Sequence, residues 1–301
     1  MRRAAALGLV FVLFSAVAFA GDNPYAGKIA NYVWVEQVQI NSGKWQVHQD
    51  LARQYRQAAT SLNADAFWLA ASPITGEGNQ TMFVSFHDNY AGIEQAMETF
   101  NKVGKEISIR NANFAAQTAE SERGGRSMIS KFRPDLSYRP DKLDVAHATR
   151  WRISTYRLKP GTGTAFADLV KEVMELEKKA DANAHWIAYQ VVSGGPGPQF
   201  VFVSPLKALA DLDQDDSMRV KEVFTPTIQR QLDAQVKDMV LYTETTFYAV
   251  RPDLSRPSPN IIAANPEFWT VKDEAPVVAS TTGKKTKRAA QPASMKQENK
   301  N

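Results

Sequence analysis

The pentapeptide Arg133-Pro134-Asp135-Leu136-Ser137 recurs as Arg251-Pro252-Asp253-Leu254-Ser255, and the step from residue 133 to residue 251 is 118. Five residues alone constrain little. The same step, however, aligns the chain upstream of both copies. Gly43 falls on Gly161, Trp68 on Trp186, Ala70 on Ala188 and Gly76 on Gly194. Val47, Leu51, Tyr55, Ala58 and Leu62 recur at helical spacing, and they fall on Ala165, Leu169, Val173, Leu176 and Ala180, apolar at every position. A chain patterned this way is predicted to fold one small unit twice.

The pattern within one period gives the unit. Residues 32–40 are β-branched and aromatic and predict a strand, which Asn41-Ser42-Gly43 breaks. A helix is predicted over 44–63, then an apolar strand over 66–71. The turn-rich loop 73–79 and a strand over 81–86 complete a hairpin. A helix follows over 90–103 with Ile93, Met97 and Phe100 on one face, then more helix over 106–122. A last strand over 126–133 runs into the pentapeptide. The second period repeats the order with strands at 151–158, 184–192, 199–204 and 240–250. Its second helical region, 206–236, is interrupted at Pro205 and Pro226. The glycine-rich loops 73–79 and 193–198 join strand to strand, so they read as hairpin tips, not as phosphate cradles ahead of a helix. Arg123-Gly124-Gly125-Arg126 reads as a turn before the last strand.

The ends differ from the body. Arg2-Arg3, an uncharged apolar run over 4–17 and Ala18-Phe19-Ala20 read as a secretory signal over 1–20, so the protein is expected to be exported, periplasmic or secreted, with no transmembrane segment after cleavage. Residues 260–275 carry Ile261, Ile262, Phe268 and Trp269 and are expected to dock on the body. Residues 276–301 lack periodicity and read as a disordered basic tail. The formal net charge of +4 sits in the signal and in this tail, which leaves the body net negative. A nucleic-acid partner is therefore not expected, while the tail suits contact with anionic surfaces. There is no cysteine, which excludes disulfides, thiolate metal sites and a cysteine nucleophile.

The β-α-β-β-α-β order is the ferredoxin-like pattern, with both helices on one sheet face. The first strands carry apolar residues on both faces (Val33 and Val35 one way, Trp34 and Val38 the other), so the second sheet face must also be covered. The chain resembles the dimeric α/β-barrel superfamily with two units fused. The resemblance implies an α+β fold of two ferredoxin-like repeats, 24–141 and 142–259, packed as an intrachain α/β-barrel pseudo-dimer. The superfamily includes cofactor-independent monooxygenases, lactone isomerases and haem-dependent enzymes. It implies a pocket inside the barrel or between helices and sheet, and little about what fills it.

Candidate chemistry is sparse. The four histidines, His48, His87, His147 and His185, show no metal-ligand spacing, so no metal and no cofactor are expected. His48 reads as a rim residue of the first helix and His87 as a loop residue. The repeats differ where Phe67 becomes His185 and Trp34 becomes Arg152. His185, Ile187 and Tyr189 share one strand face, and Arg152, Ser154 and Tyr156 another. If those faces coincide in the barrel, His185, Tyr189, Arg152 and Tyr156 converge in an apolar cavity. Trp34, Glu36 and Trp68 hold comparable places in the first repeat, where a Glu36 desolvated in the barrel would be a candidate base. The paired pentapeptide arginines could form an anion site. The leading functional expectation is binding of a small, partly apolar molecule. The alternatives are a cofactor-independent monooxygenase- or isomerase-like enzyme using His185 or Glu36, and an envelope-associated structural protein.

Overall fold

Nine residues of alternating β-formers make β1 (Tyr32–Ile40), and the break at Gly43, which takes φ +73°, turns the chain into α1 (Trp45–Ser61). The computed structural model describes residues 29–216 and 218–271. The signal segment 1–20, the tail 276–301 and the last residues of the segment 260–275 lie outside them. After α1 come β2 (Leu69–Pro73), β3 (Gln80–His87), α2 (Tyr90–Arg110), α3 (Phe114–Ser121) and β4 (Glu122–Phe132). The second half runs β5 (Arg150–Leu158), α4 (Gly163–Lys179), β6 (Ile187–Ser193) and β7 (Gln199–Leu206). It continues through a 3-10 turn at Leu209–Asp216 to α5 (Met218–Val223), α6 (Pro226–Met239) and β8 (Val240–Val250). Two short helices, α7 (Pro259–Ala264) and α8 (Pro266–Trp269), end the described chain.

The strands close a mixed α+β barrel in the order β1-β3-β2-β8-β5-β7-β6-β4, with β4 bonded back to β1. Every neighbouring pair is antiparallel. With eight strands alternating in direction, β1 and β5 run the same way, so their C-terminal ends share one mouth. The period of two divides each strand between the barrel interior and the outer, helix-covered face. Val33, Val35 and Gln37 of β1 point inward, as do Trp151, Ile153, Thr155 and Arg157 of β5. On the outside, α1 and α2 cover the first half, and α4 and α6 the second.

The repeated pentapeptides are exchanged clasps. The first folds as a 3-10 turn (Pro134–Leu136) after β4 and bonds to β6 of the other half. The Arg133 amide donates to the Ala188 carbonyl at 2.9 Å, and the Ala188 amide donates to Ser137 Oγ at 2.9 Å. Trp186 Nε1 donates to the Leu136 carbonyl at 2.8 Å. The second makes the same bonds to the first half: Arg251 amide to Ala70 carbonyl at 2.8 Å, Ala70 amide to Ser255 Oγ at 2.8 Å, and Trp68 Nε1 to Leu254 carbonyl at 2.9 Å. Leu136 and Leu254 are fully buried. Arg133 and Arg251 do not form a shared anion site. Each is clamped in two-point fashion by the aspartate of its own pentapeptide, Asp135 or Asp253. The hydrogen bonds from Arg133 hold the Asp135 carboxyl below the ordinary carboxylate range.

Several local expectations shift. Residues 123–126 are not a turn but the start of β4, where the register against β1 slips between Val38 and Ile40. Gly124 takes φ +112°, and a Cβ at Gly125 would collide with the Gln37 carbonyl oxygen, so this bulge needs both glycines. The hairpins also differ by one residue. Glu36 pairs with Phe83, whereas Ser154 pairs with Phe202, so β7 matches β3 at a step of 119 instead of 118. The buried stripe of α1 is rotated from the expected one: Val47 and Leu62 are exposed, while His48, Leu51, Ala58 and Ala59 are buried. His48 is no rim residue. It is 2% exposed, with Nδ1 2.9 Å from Glu122 Oε1 and Nε2 3.1 Å from Thr81 Oγ1. The corresponding places in the second half hold Phe166, Val240 and Phe200, an apolar set with the Phe166 and Phe200 rings 5.3 Å apart.

One barrel end is closed by chain beyond the second clasp. Ile261 and Trp269 are buried in the same cluster as Val33, Val145 and Trp151, and Trp269 Nε1 donates to the Ala146 carbonyl at 2.8 Å.

The clasp predicts that Ser137→Ala and Ser255→Ala each destabilise the fold by about 1–3 kcal/mol, because each strands a buried amide. Urea unfolding of both, against the exposed Ser42→Ala, measures this; a loss no larger than that of Ser42→Ala would contradict the clasp. A second prediction concerns His87 at the end of β3, whose Nε2 lies 2.9 Å from Ser85 Oγ. Burial lowers its pKa from 6.5 to about 4, against the opposing pull of Asp88. The unfolded chain therefore takes up this proton first, and stability should fall as pH drops from 6.5 to about 4. His87→Gln should flatten that limb in denaturation curves at successive pH values.

Candidate functional site

The outward faces of β5 and β7 carry Arg152, Ser154, Tyr156, Phe202 and Ser204, and above them α4 presents Phe166, Leu169, Val170 and Val173. Between these layers lies a pocket of about 740 Å³, within the range of small-molecule sites. Its floor is aromatic. Tyr156 stands edge-on to Phe202 with ring centroids 5.6 Å apart and lies 5.3 Å from Phe166. His185 and Trp186 close one side, just ahead of β6, and Phe224 and Val236 another. Ser154 is tied down by a 2.8 Å bond to Thr245.

The His185 Nδ1 lies 3.2 Å from the Asn183 carbonyl oxygen, which can only accept, so this contact is made with a proton on Nδ1, and in the neutral ring it leaves Nε2 as an acceptor. At the rim, Asp144 binds His147 Nδ1 at 2.8 Å and Lys207 Nζ at 3.3 Å. Burial works to raise the Asp144 carboxyl, but these bonds overcome it and hold the group below its ordinary range. No cluster of metal-ligating side chains occurs among the described residues.

Of the residues singled out in the sequence, Arg152, Tyr156 and His185 come together here. Tyr189 does not join them. It sits in β6, two residues beyond Ile187, and both point into the barrel, on the far side of the sheet. His185 precedes β6, where the strand period no longer governs its direction, so the shared face expected for 185, 187 and 189 ends at 187. Tyr189 is buried among apolar walls 6.0 Å from Phe132, and burial pushes its hydroxyl pKa up.

Trp34, Glu36 and Trp68 do not line this pocket. Trp34 and Glu36 lie on the outer face of β1, so Glu36 is not a desolvated barrel carboxylate. Trp34 donates to Ser127 Oγ at 2.7 Å. Phe100 of α2 reaches into the space corresponding to the pocket and fills it, with ring centroids 5.7 Å from both Trp34 and Trp68 and 6.4 Å from Tyr55. In the second half Trp34 is replaced by Arg152 and Tyr55 by Val173. The position one period after Phe100 is Met218, which is 78% exposed. The continuous α2 is there replaced by the 3-10 turn, α5 and α6, with Pro226 starting a new helix. The sequence signal that could have found this was the interruption at Pro226 read together with the two lost aromatics.

A cavity of about 490 Å³ also occupies the barrel interior. Its walls are Val35, Val84, Met128, Ile153, Val201 and Val203, with Arg126, Arg157 and Glu244 at one mouth.

No family model matches the sequence, and no curated protein matches it. Solved structures do show a similar fold. A monooxygenase-like protein from Lactobacillus acidophilus is 8% identical, with 73% of this chain and 94% of that one aligned at a TM-score of 0.46. One from Fusobacterium nucleatum is 14% identical over 73% and 92%, at 0.47. The chlorite dismutase from Candidatus Nitrospira defluvii, solved with imidazole, is 9% identical over 79% and 95%, at 0.44. Each is a likeness of fold at low identity.

Proposed function

We propose that this chain is an exported binding protein for a small, partly apolar molecule, held in the pocket between α4 and the outer face of β5 and β7. The carrying observation is the difference between the halves. The same place is occupied in the first half by the ring cluster of Trp34, Tyr55, Trp68 and Phe100 and stands open in the second. A core that merely had to fold would be filled in both, since a void forfeits packing energy. The proposal includes the chain's descent from two ferredoxin-like repeats, 24–141 and 142–259, packed as a pseudo-dimer. Supporting it are the clasp bonds, which recur at one step along the chain. In this reading the first repeat keeps the aromatic filling and the second has given it up for a site. The aromatic floor suits a flat or apolar body, and Arg152, His185 and Tyr156 offer polar contacts at its edge.

A second reading has one specific observation in its favour. With Nδ1 donating to the Asn183 carbonyl, a neutral His185 presents Nε2 as a proton acceptor at the pocket wall, the arrangement a general base requires. The enzyme-like alternative, a cofactor-independent oxygenase or isomerase, would use that nitrogen. The tail is assigned to contact with anionic surfaces on charge alone.

The test rebuilds the first half's filling in the second. Arg152→Trp with Val173→Tyr should abolish the thermal shift that aromatic and cyclic carboxylic acids and ketones give the wild-type protein, while circular dichroism stays unchanged. Equal shifts in both proteins would refute the pocket assignment. His185→Gln separates the readings: binding retained with turnover of a bound compound lost supports the enzyme, and turnover retained removes His185 as the base.

A further inference from the structure

The interior cavity is separated from the proposed pocket by the sheet itself, so it calls for its own explanation. An eight-stranded barrel is just wide enough for side chains to fill it or for one small ligand. Here the central inward residues are small. Val35, Ile153, Val201 and Val203 are only half-buried, although all four point into the barrel. Apolar side chains with exposure inside a barrel mark volume that the chain does not fill.

The cavity has two unlike ends. At the N-terminal end of β1 and β5, Ala30, Val145 and Trp151 are buried, and Ile261 and Trp269 pack into the same cluster. Exposed Asp141 stands at this rim. At the opposite mouth, Arg126 of β4 and Arg157 of β5 are exposed and line the opening with Gln37 and Gln199. Among the described residues neither arginine side chain has a hydrogen-bond or ion-pair partner. The one carboxylate in that lining, Glu244, accepts from Tyr242 and from Thr246 Oγ1, the latter at 3.4 Å. From Trp151 to Arg157 the wall runs roughly 20 Å.

We infer that the barrel interior is a second ligand site, for a single-chain alkyl carboxylate. The chain would lie along the valine-lined bore, and the carboxylate would sit at the Arg126–Arg157 mouth. The charges set the polarity. An anionic head at the other end would meet Asp141, and a cationic head at the open mouth would meet two arginines. The apolar length suits one alkyl chain, and the antiparallel walls offer no unsatisfied backbone to a polar one.

Calorimetric titration of the full chain with dodecanoate and with dodecyltrimethylammonium tests this. Dodecanoate should bind at one per chain, weaken with salt, and bind about tenfold less tightly to an Arg126→Gln/Arg157→Gln variant. Val201→Trp, which fills the bore, should abolish binding; if that variant does not fold, Ile153→Phe serves. His185→Ala, altered only in the other pocket, should bind dodecanoate as the wild type does. The inference is overturned by absence of saturable dodecanoate binding, by equal binding of the cation, by binding that survives in a folded bore-filled variant, or by loss of binding in His185→Ala.

Discussion

The exchange of the two Arg-Pro-Asp-Leu-Ser turns is the interaction on which the barrel depends. β2 and β6 are the strands that meet the other half, pairing with β8 and β4. Both pairings are short, and each runs out where a clasp begins. Without the clasps, the amides of Ala70 and Ala188 and the indoles of Trp68 and Trp186 would be buried donors lacking acceptors. Each such loss costs about 1–3 kcal/mol, and burial of Leu136 and Leu254 adds about 1.5–3 kcal/mol each. Because each turn serves the opposite half, neither half can satisfy its own backbone alone. Closure of the barrel and completion of each sheet are therefore one event.

That interlock lets the two halves differ. The clasps hold the strand ends, so the helix layer over the second half can change without opening the barrel. The polar set His48–Thr81–Glu122 and the apolar set Phe166–Phe200–Val240 occupy matched places under α1 and α4, yet both helices cover their sheets. A buried histidine costs little where both ring nitrogens are satisfied, and a phenylalanine pair costs nothing polar. Over β5 and β7 the change goes further: aromatic filling is lost and a pocket remains.

Much of this was legible in the residues. The step of 118 found both pentapeptides, the paired tryptophans and the hairpins, because strand and turn signals are local and strong, but not the exchange of the pentapeptides between halves. Four further features were not legible. The one-residue slip of β7 against β3 lies in a loop, where no pattern records an insertion. The position of His185 depends on where β6 begins, and strand ends are set by the partner strand, not by propensity. The buried face of α1 departs from the apolar pattern at Val47, because His48 is polar by type and its burial rests on Thr81 and Glu122, both distant in sequence. The pocket itself is an absence, that of Phe100's counterpart, and sequence patterns record presence.

The strand period then settles how two cavities can coexist. Along β5, Arg152, Ser154 and Tyr156 face the helix layer while Trp151, Ile153, Thr155 and Arg157 face the bore. β7 divides in the same way, with Phe202 and Ser204 outward and Val201 and Val203 inward. Of the side chains of these strands only Pro205, near the end of β7, touches both cavities, so either can be altered elsewhere without touching the other's lining. What the cavities share is backbone, held in register from Arg150–Leu206 to Arg157–Gln199. A change that bends that ladder would reshape both at once, whereas a change of side chain reaches one. The wall between them is a single sheet, flanked by β8, from which the second clasp runs on, and by β6, at which the first clasp attaches.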